Sequence, residues 1–396
     1  LHYGRAVDPI TSLLDDLLDE IRPIDSGAPA AYIPELAEAD PDRLALAVVG
    51  PYGRVRAVGD TEHEFTIQSI SKPFVLALAL AERGREAVLE KVGVEPSGEP
   101  FNAISLEEGT GRPANPMVNA GAIATTALVR GDDVDERMTR IVELLSGFAG
   151  RSLWVDEDVY RSESATGDRN RAFGHLLRSH GVIDGSVETA VETYFRQCSL
   201  LVTVRDLAVM GATLAFGGVN PVTGDRVVVE RVARDVLSIM ASCGMYDYSG
   251  EWMLRVGLPA KSGVSGGLLA VAPSQFGVAA FSPRLDEHGN TVRGIVAVET
   301  LAERFGMHLL EPHESVAVPS VRIDETPTGR VLRLSGELGF AGTERIVAVL
   351  RELSGVVPAG SSVTVDATEL ARTHPAALVT LRAEFESMPA GFVLAE

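Results

Sequence analysis

A ten-residue stretch, FTIQSISKPF at residues 65–74, decides how the rest of the chain is interpreted. Pro73 favours a helix that starts here, because proline is well tolerated in the first helical turn. Ser69 and Lys72 are three residues apart, so at the start of a helix they lie one turn apart on the same face. A lysine whose pKa is lowered by burial or by another cation can take the serine proton. The stretch therefore predicts covalent catalysis by Ser69, and the alternative is an ordinary helix start with a solvated lysine.

Lysine is scarce in this chain, which makes each lysine informative. Of 35 basic residues only Lys72, Lys91 and Lys261 are lysine, which leaves 35 − 3 = 32 arginines. Arginine stays protonated in proteins, so it replaces lysine as a surface cation but not as a proton acceptor. Lys261 opens a Lys-Ser-Gly triplet ahead of a predicted strand. Ser-x-x-Lys combined with a Lys-Thr/Ser-Gly strand is typical of penicillin-recognising serine acyl-enzymes. Lys91 is predicted to belong to the scaffold.

The third element of the penicillin-recognising enzymes, Ser-x-Asn or Tyr-x-Asn, is not evident. The nearest candidate is Tyr246-Asp247-Tyr248, which has tyrosine where asparagine is required. The pattern therefore predicts a shared fold with a different substrate.

Composition narrows the function classes. The 396 residues carry 55 acidic and 35 basic side chains, a net charge of −20. Such a surface repels phosphate, which argues against nucleic acid and anionic membranes as partners.

No apolar run is long enough to span a bilayer, and two cysteines encode neither a disulfide framework nor a Cys-ligated metal site. With no recognisable leader, we expect a soluble cytoplasmic protein without metal or cofactor. The same charge predicts salt tolerance, for which activity retained in molar NaCl is the expected outcome.

Hydrophobic patterning predicts an α+β catalytic domain over residues 1–311. Residues 9–21 and 75–83 have helical spacing. Strands are predicted at 43–50, 54–60, 268–273, 276–282 and 292–299, with a helix at 301–310 and a mostly helical part at about 100–250. The strands come from both ends of the region, so we expect one antiparallel sheet, built from 43–60 and 268–299 and flanked by helices.

A linker at 312–319 is predicted to lead into a small α/β domain at 320–396. Its predicted order is strand 321–324, strand 331–335, helix 343–353, strand 362–366, helix 375–387 and a strand start at 392–395. Because the chain stops on a strand, we expect that this domain is truncated.

Three segments are rich in glycine and in neutral hydrogen-bonding side chains, namely 115–122, 162–170 and 242–250. Each alone is typical of a capping or turn loop. Together they could bind a small zwitterion, with a carboxylate such as Glu163 for an α-ammonium group and asparagine side chains for an α-carboxylate.

Residues 65–74 resemble the nucleophile segment of the serine-dependent glutaminases. Six further segments resemble that family in the same order: Tyr32–Ala37, Glu95–Gly98, Asn115–Ala122, Gly167–Asn170, Ser242–Gly250 and Leu258–Val264. The resemblance covers roughly residues 10–310. It implies a β-lactamase/transpeptidase-like fold and hydrolysis of L-glutamine to L-glutamate and ammonia, and because the family commonly forms dimers or tetramers, it implies a homo-oligomer.

By the same resemblance, Ser69 is the nucleophile that forms a γ-glutamyl ester and Lys72 is the base. Tyr246 relays protons, and Lys261 is a second basic residue that lowers the pKa of Lys72 or supports the nearby loop. The backbone amides of Ser69 and Val264 form the oxyanion hole. The remaining implied substrate contacts are Tyr32, Gln68, Asn119, Glu163, Asn170 and Tyr194.

Residues 320–396 resemble a STAS domain, the small module of anti-sigma-factor antagonists and some transporter tails. The usual Asp-Ser-Ser-Gly falls on His374-Pro375-Ala376-Ala377, so the phosphorylatable serine is missing. An unknown protein partner or a structural role is therefore expected. Two other functions stay open, a penicillin-recognising acyl-enzyme and a non-catalytic regulator that acts through this module.

Overall fold

The structure is a computed structural model that describes residues 8–98, 106–311, 320–326, 329–356, 362–386 and 392–395. The predicted linker at 312–319 lies outside these residues. The helices are α1 (Pro9–Ile21), α2 (Pro34–Ala37), α3 (Ser71–Arg83), α4 (Arg85–Lys91), α5 (Asn119–Leu128), α6 (Val134–Ala149), α7 (Glu157–Thr166), α8 (Asp168–Ser179), α9 (Val187–Cys198), α10 (Val204–Ala215), α11 (Glu230–Cys243), α12 (Ser249–Arg255), α13 (Val292–Phe305), α14 (Phe340–Val356) and α15 (Pro375–Glu386). The strands are β1 (Ala45–Val49), β2 (Val55–Gly59), β3 (Phe65–Thr66), β4 (Leu201–Val202), β5 (Ala260–Ser262), β6 (Gly267–Ala272), β7 (Phe276–Phe281), β8 (Ser320–Thr326), β9 (Gly329–Leu338), β10 (Ser362–Thr373) and β11 (Phe392–Ala395).

Residues Leu18–Glu299 form one compact unit built on a five-stranded sheet. The strand order is β2-β1-β7-β6-β5, and every neighbouring pair is antiparallel. Ala47 of β1 pairs with Ala57 on one side and with Ala279 on the other, so the two ends of the region meet at β1 and β7. Strands β1, β6 and β7 are buried along their whole length, and α10 packs on them. The predicted antiparallel sheet with flanking helices is confirmed.

One predicted strand is wrong. Residues 292–299 are the first half of α13, and the predicted helix at 301–310 is its second half, which ends at Phe305. The β-branched residues of the segment favour a strand locally. Their burial follows helical spacing instead, with Ile295, Val298, Leu301 and Phe305 inside. The fifth strand of the sheet is β5, which carries Lys261 at the sheet edge.

A two-stranded pair fixes the segment that leads to Ser69. Phe65 of β3 pairs with Val202 of β4, and the next amide, Ile67 N–H, donates a 2.7 Å hydrogen bond to the Leu200 carbonyl. The Phe65 ring stacks on Phe281 of β7 with 4.1 Å between centroids. The nucleophile segment is therefore anchored to the main sheet on its N-terminal side.

Among the described residues, those up to Leu17 and from Thr300 onward form the second compact unit. It contains a four-stranded mixed sheet of order β11-β10-β9-β8, in which β10 is parallel to both of its neighbours. Leu332, Ile346, Leu350 and Val365 lie in its apolar core. The predicted α/β order of this region is confirmed, with longer strands at β9 and β10. The STAS resemblance and the domain boundary at 311 stay predictions.

None of the helices in the described residues combines the length and the apolar composition that a membrane span requires.

Candidate active site

Ser69 lies in a 3₁₀ turn, Gln68–Ile70, immediately before α3. Gln68 has φ +49°, a left-handed conformation that costs a non-glycine residue about 1–2 kcal/mol. Such strain is typical of functional turns, where the surrounding structure holds the backbone in place. Ser69 is half-buried and is hydrogen-bonded to the Tyr246 hydroxyl. The turn thus presents Ser69 directly to a second predicted site residue.

Lys72 is buried in the first turn of α3, with 1% of its surface exposed. Its amine donates to the Met117 carbonyl at 3.0 Å and to Asn119 Oδ1 at 2.7 Å. Burial lowers the pKa of Lys72 to about 7, because desolvation disfavours the charged amine. The alternative of a solvated lysine at an ordinary helix start is therefore excluded.

Tyr246 and Lys261 lie against each other. The Lys261 amine is 3.9 Å from the centre of the Tyr246 ring, and the Lys72 amine is 5.4 Å from it. Burial, and then the nearby charge of Lys72, lower the pKa of Lys261 well below its usual value. Burial raises the pKa of Tyr246, so its phenol keeps its proton and can donate at neutral pH. The positive charge of Lys72 lowers the pKa of Lys261, whereas the pKa of Lys72 is lowered by burial alone.

Val264 follows strand β5 in the turn to β6. A side-chain Cβ on Gly263 would lie 3.1 Å from the Ile67 carbonyl oxygen, so glycine allows this turn to approach the Ser69 segment closely. Val264 packs against a small apolar cluster that includes Ile33 and Val159. The turn therefore lies beside the segment that leads to Ser69.

Asn119 connects several polar residues at the start of α5. Its Oδ1 accepts from Lys72 at 2.7 Å and from the Tyr194 hydroxyl at 3.2 Å. Its Nδ2 donates to Asn170 Oδ1 at 3.2 Å. These four side chains come from α3, α5, α8 and α9, which together form one wall of the site.

Glu163 on α7 forms a second group with Tyr32 and Gln68. Tyr32 donates to Glu163 Oε1 at 2.6 Å, and Gln68 Nε2 donates to the same oxygen at 3.1 Å. Burial raises the pKa of Glu163, while the hydrogen bonds from Tyr32 and Gln68 act in the opposite direction. Tyr32 is 48% exposed and therefore lies at the mouth of the site, whereas Glu163 and Gln68 are buried behind it.

Asn115 and Met117 contribute to the site through the backbone and were not among the predicted site residues. Asn115 Oδ1 accepts from the backbone amides of Met117 and Val118 at 3.0 and 3.2 Å. This turn fixes the position of the Met117 carbonyl, which accepts a hydrogen bond from the Lys72 amine. The Asn115-Pro116 pair in the sequence is a turn signal, yet nothing in it indicates that Met117 has a lysine partner 45 positions earlier.

The predicted site residues thus come together in the unit Leu18–Glu299, and comparison with known proteins adds the family. Residues 27–310 match the family model described as Glutaminase. The chain belongs to the glutaminase family.

A glutaminase of Trichormus variabilis is 50% identical over 303 residues, which cover 76% of this chain and 91% of that protein. A glutaminase of Clavibacter michiganensis is 54% identical over 307 residues, which cover 77% and 94% of the two chains. Among solved structures, Mglu in its glutamate form superposes with a TM-score of 0.75 at 40% identity and covers 98% of both chains. The β-lactamase-like fold expected for a glutaminase is therefore confirmed.

Proposed function

We propose that this glutaminase hydrolyses L-glutamine to L-glutamate and ammonia through a γ-glutamyl ester on Ser69. The observation that carries the proposal is the buried Lys72, one helical turn after Ser69, with its pKa lowered to about 7. An amine with this pKa is substantially neutral at physiological pH. It is therefore matched to the work of a general base.

The contacts of Lys72 leave its lone pair available. A neutral amine has two N–H donors and one lone pair, and the Met117 carbonyl and Asn119 Oδ1 accept two donors. In the proposed first step, the Ser69 hydroxyl oxygen attacks the γ-carboxamide carbon and its proton passes to Lys72. The tetrahedral oxyanion is stabilised by the backbone amides of Ser69 and Val264, a type of contact that typically contributes about 3–4 kcal/mol per donor.

The second step breaks the C–N bond. Lys72 passes the proton that it took from Ser69 through the Tyr246 phenol to the nitrogen, which leaves as ammonia. The phenol, which is hydrogen-bonded to Ser69, ends the step protonated. Water then attacks the ester with the same groups acting in reverse, which releases L-glutamate and restores Ser69. Burial and the nearby charge of Lys72 lower the pKa of Lys261, which disfavours a second positive charge in the site.

The two end groups of the substrate fit the two groups of polar side chains in the site. Glu163 is the carboxylate for the α-ammonium, and Tyr32 and Gln68 hold it through Oε1. Asn119 and Asn170 offer amide donors for the α-carboxylate, and the Tyr194 hydroxyl, which donates to Asn119 Oδ1, lies beside them. The solved glutamate form of Mglu supports a glutamate-shaped site in this family.

A coupled assay of ammonia release tests the substrate, with L-glutamine compared with L-asparagine at equal concentration. We expect turnover of L-glutamine and a much lower kcat/KM for L-asparagine, whose amide lies one methylene closer to the α-carbon than the amide of L-glutamine. Equal kcat/KM for the two amides would contradict the assigned specificity. The homo-oligomer that the family resemblance implies is also a proposal, and light scattering on the purified chain tests it.

A further inference from the structure

The loop at residues 286–290 is closed on itself by its own hydrogen bonds. Asp286 Oδ1 accepts from the backbone amides of His288 at 2.9 Å and Asn290 at 2.8 Å. The Asp286 amide in turn donates to the Asn290 carbonyl at 2.8 Å. The Gly289 amide also donates to the Asp286 carbonyl at 3.1 Å, and these four internal bonds hold the backbone of the loop in place.

From one side, this loop contacts the segment that carries Tyr246. His288 Nδ1 lies 3.1 Å from Asp247 Oδ2, and since a carboxylate only accepts, the imidazole donates. Asp247 directly follows Tyr246, and the His288 ring also lies against Tyr248, with 5.7 Å between the ring centres. Tyr246 has φ +57°, a conformation that a large side chain keeps only where neighbouring contacts hold it.

From the other side, the same loop contacts strand β5. Ser262 Oγ donates to Asn290 Oδ1 at 2.6 Å, and both side chains are buried. The Ser262 carbonyl accepts the Lys261 amine at 2.7 Å. One loop therefore bonds to the neighbour of Tyr246 and to the neighbour of Lys261, the two residues whose side chains lie 3.9 Å apart.

We propose that the 286–290 loop positions the Tyr246 phenol for proton transfer, with His288 and Asn290 as positioning residues. His288 acts through Asp247, and Asn290 acts through Ser262. The inference rests on the proposed function, because it requires Tyr246 to take part in the reaction. It adds that the geometry of Tyr246 is imposed from a loop that supplies none of the proposed substrate contacts.

The test compares His288→Ala, His288→Asn and Glu287→Gln in the full chain. His288→Ala removes the donor to Asp247, and we expect kcat to fall about tenfold or more, since small displacements in an active site are this costly. KM should stay within about twofold, because the proposed substrate contacts lie on other elements. His288→Asn puts an amide nitrogen near the Nδ1 position and should restore most of kcat. Glu287→Gln keeps the shape of a 90% exposed side chain that lies 4.0 Å from His288 Nε2, the ring nitrogen that does not contact Asp247, and should leave kcat within about twofold.

A double variant separates positioning from general damage. If His288 acts through Tyr246, His288→Ala should have no further effect on kcat in a Tyr246→Phe background. Losses that multiply in the double variant, or a His288→Ala protein with wild-type kcat, would overturn the positioning role alone. A Tyr246→Phe protein with wild-type turnover would overturn both this role and the assignment of Tyr246 in the proposed mechanism. Thermal unfolding of each variant identifies a loss of kcat that comes from unfolding.

Discussion

The Lys72 amine donates a 2.7 Å hydrogen bond to Oδ1 of Asn119. The amide oxygen accepts one N–H of the amine without adding a negative charge, so the pKa of Lys72 remains lowered by burial. A charged acceptor at the same position would stabilise the ammonium form and remove the base. The neutrality of Asn119 is therefore as important to the proposed chemistry as its hydrogen bond.

This relationship sets the expected pH dependence. The pKa of Lys72 is lowered to about 7, so the amine is protonated below that pH and is increasingly neutral above it. We expect kcat/KM to fall about tenfold per pH unit below pH 7 and to level off above it, since kcat/KM reports the free enzyme. Asn119→Asp should move this acid limb to higher pH, because a nearby carboxylate raises the pKa of a lysine. An acid limb that does not move in Asn119→Asp would show that a group other than Lys72 sets it.

Lys72→Arg tests whether proton acceptance is what requires lysine. Arginine keeps its charge, so we expect kcat to fall by about 10²–10⁴-fold. Lys91→Arg is the matched control, because Lys91 makes contacts a cation of either kind can make, with the Gly181 carbonyl at 2.8 Å and Asp184 at 3.1 Å. Steady-state assays of both variants should show full activity for Lys91→Arg only. Comparable kcat values in the two variants would contradict the role of Lys72 as base.

Glu163→Gln tests recognition of the substrate α-ammonium. The change keeps the shape but removes the charge, and a hydrogen bond to a charged group contributes about 1.5–3 kcal/mol. We expect kcat/KM for L-glutamine to fall about 10- to 150-fold, mainly through a higher KM. Glu157→Gln changes an exposed carboxylate on the same helix, α7, and should match the wild type. A Glu163→Gln protein with an unchanged KM would place the α-ammonium elsewhere.

Gly244→Ala tests the packing that brings the Tyr246 segment against β5. A Cβ at Gly244 would lie 1.8 Å from the carbonyl oxygen of Ala260, which is backbone and cannot rotate away. We expect the free energy of unfolding to fall by about 1–3 kcal/mol, with lower activity because Tyr246 follows two residues later. Gly250→Ala is the control, because its Cβ would meet nothing within 4 Å in α12. Thermal unfolding should show a lower midpoint for Gly244→Ala and an equal or higher one for Gly250→Ala.

The sequence allowed much of the fold and the site to be predicted, because the informative signals are local. Ser-x-x-Lys followed by proline specifies a helix start, and lysine scarcity singles out Lys72 and Lys261. Strands β1, β2, β6 and β7 were predicted because short apolar runs between turn residues resemble little else.

What was not predictable depends on contacts distant in the chain. Residues 292–299 have strand-like composition, and only packing in the folded chain shows that they form α13. The Met117 carbonyl lies 45 residues along the chain from Lys72, and His288 in the 286–290 loop lies 41 residues from Asp247. Their roles depend on contacts that form only in the folded chain, for which a single sequence carries no signal.

The most direct test of the proposed mechanism is peptide mass spectrometry of the enzyme after rapid mixing with L-glutamine and acid quench. The γ-glutamyl ester should add the mass of one glutamyl group to the peptide that contains Ser69, and the adduct should be missing from Ser69→Ala, which should also lose turnover by at least about 10³-fold. An adduct on another residue, or wild-type turnover in Ser69→Ala, would contradict the assignment of Ser69 as the nucleophile.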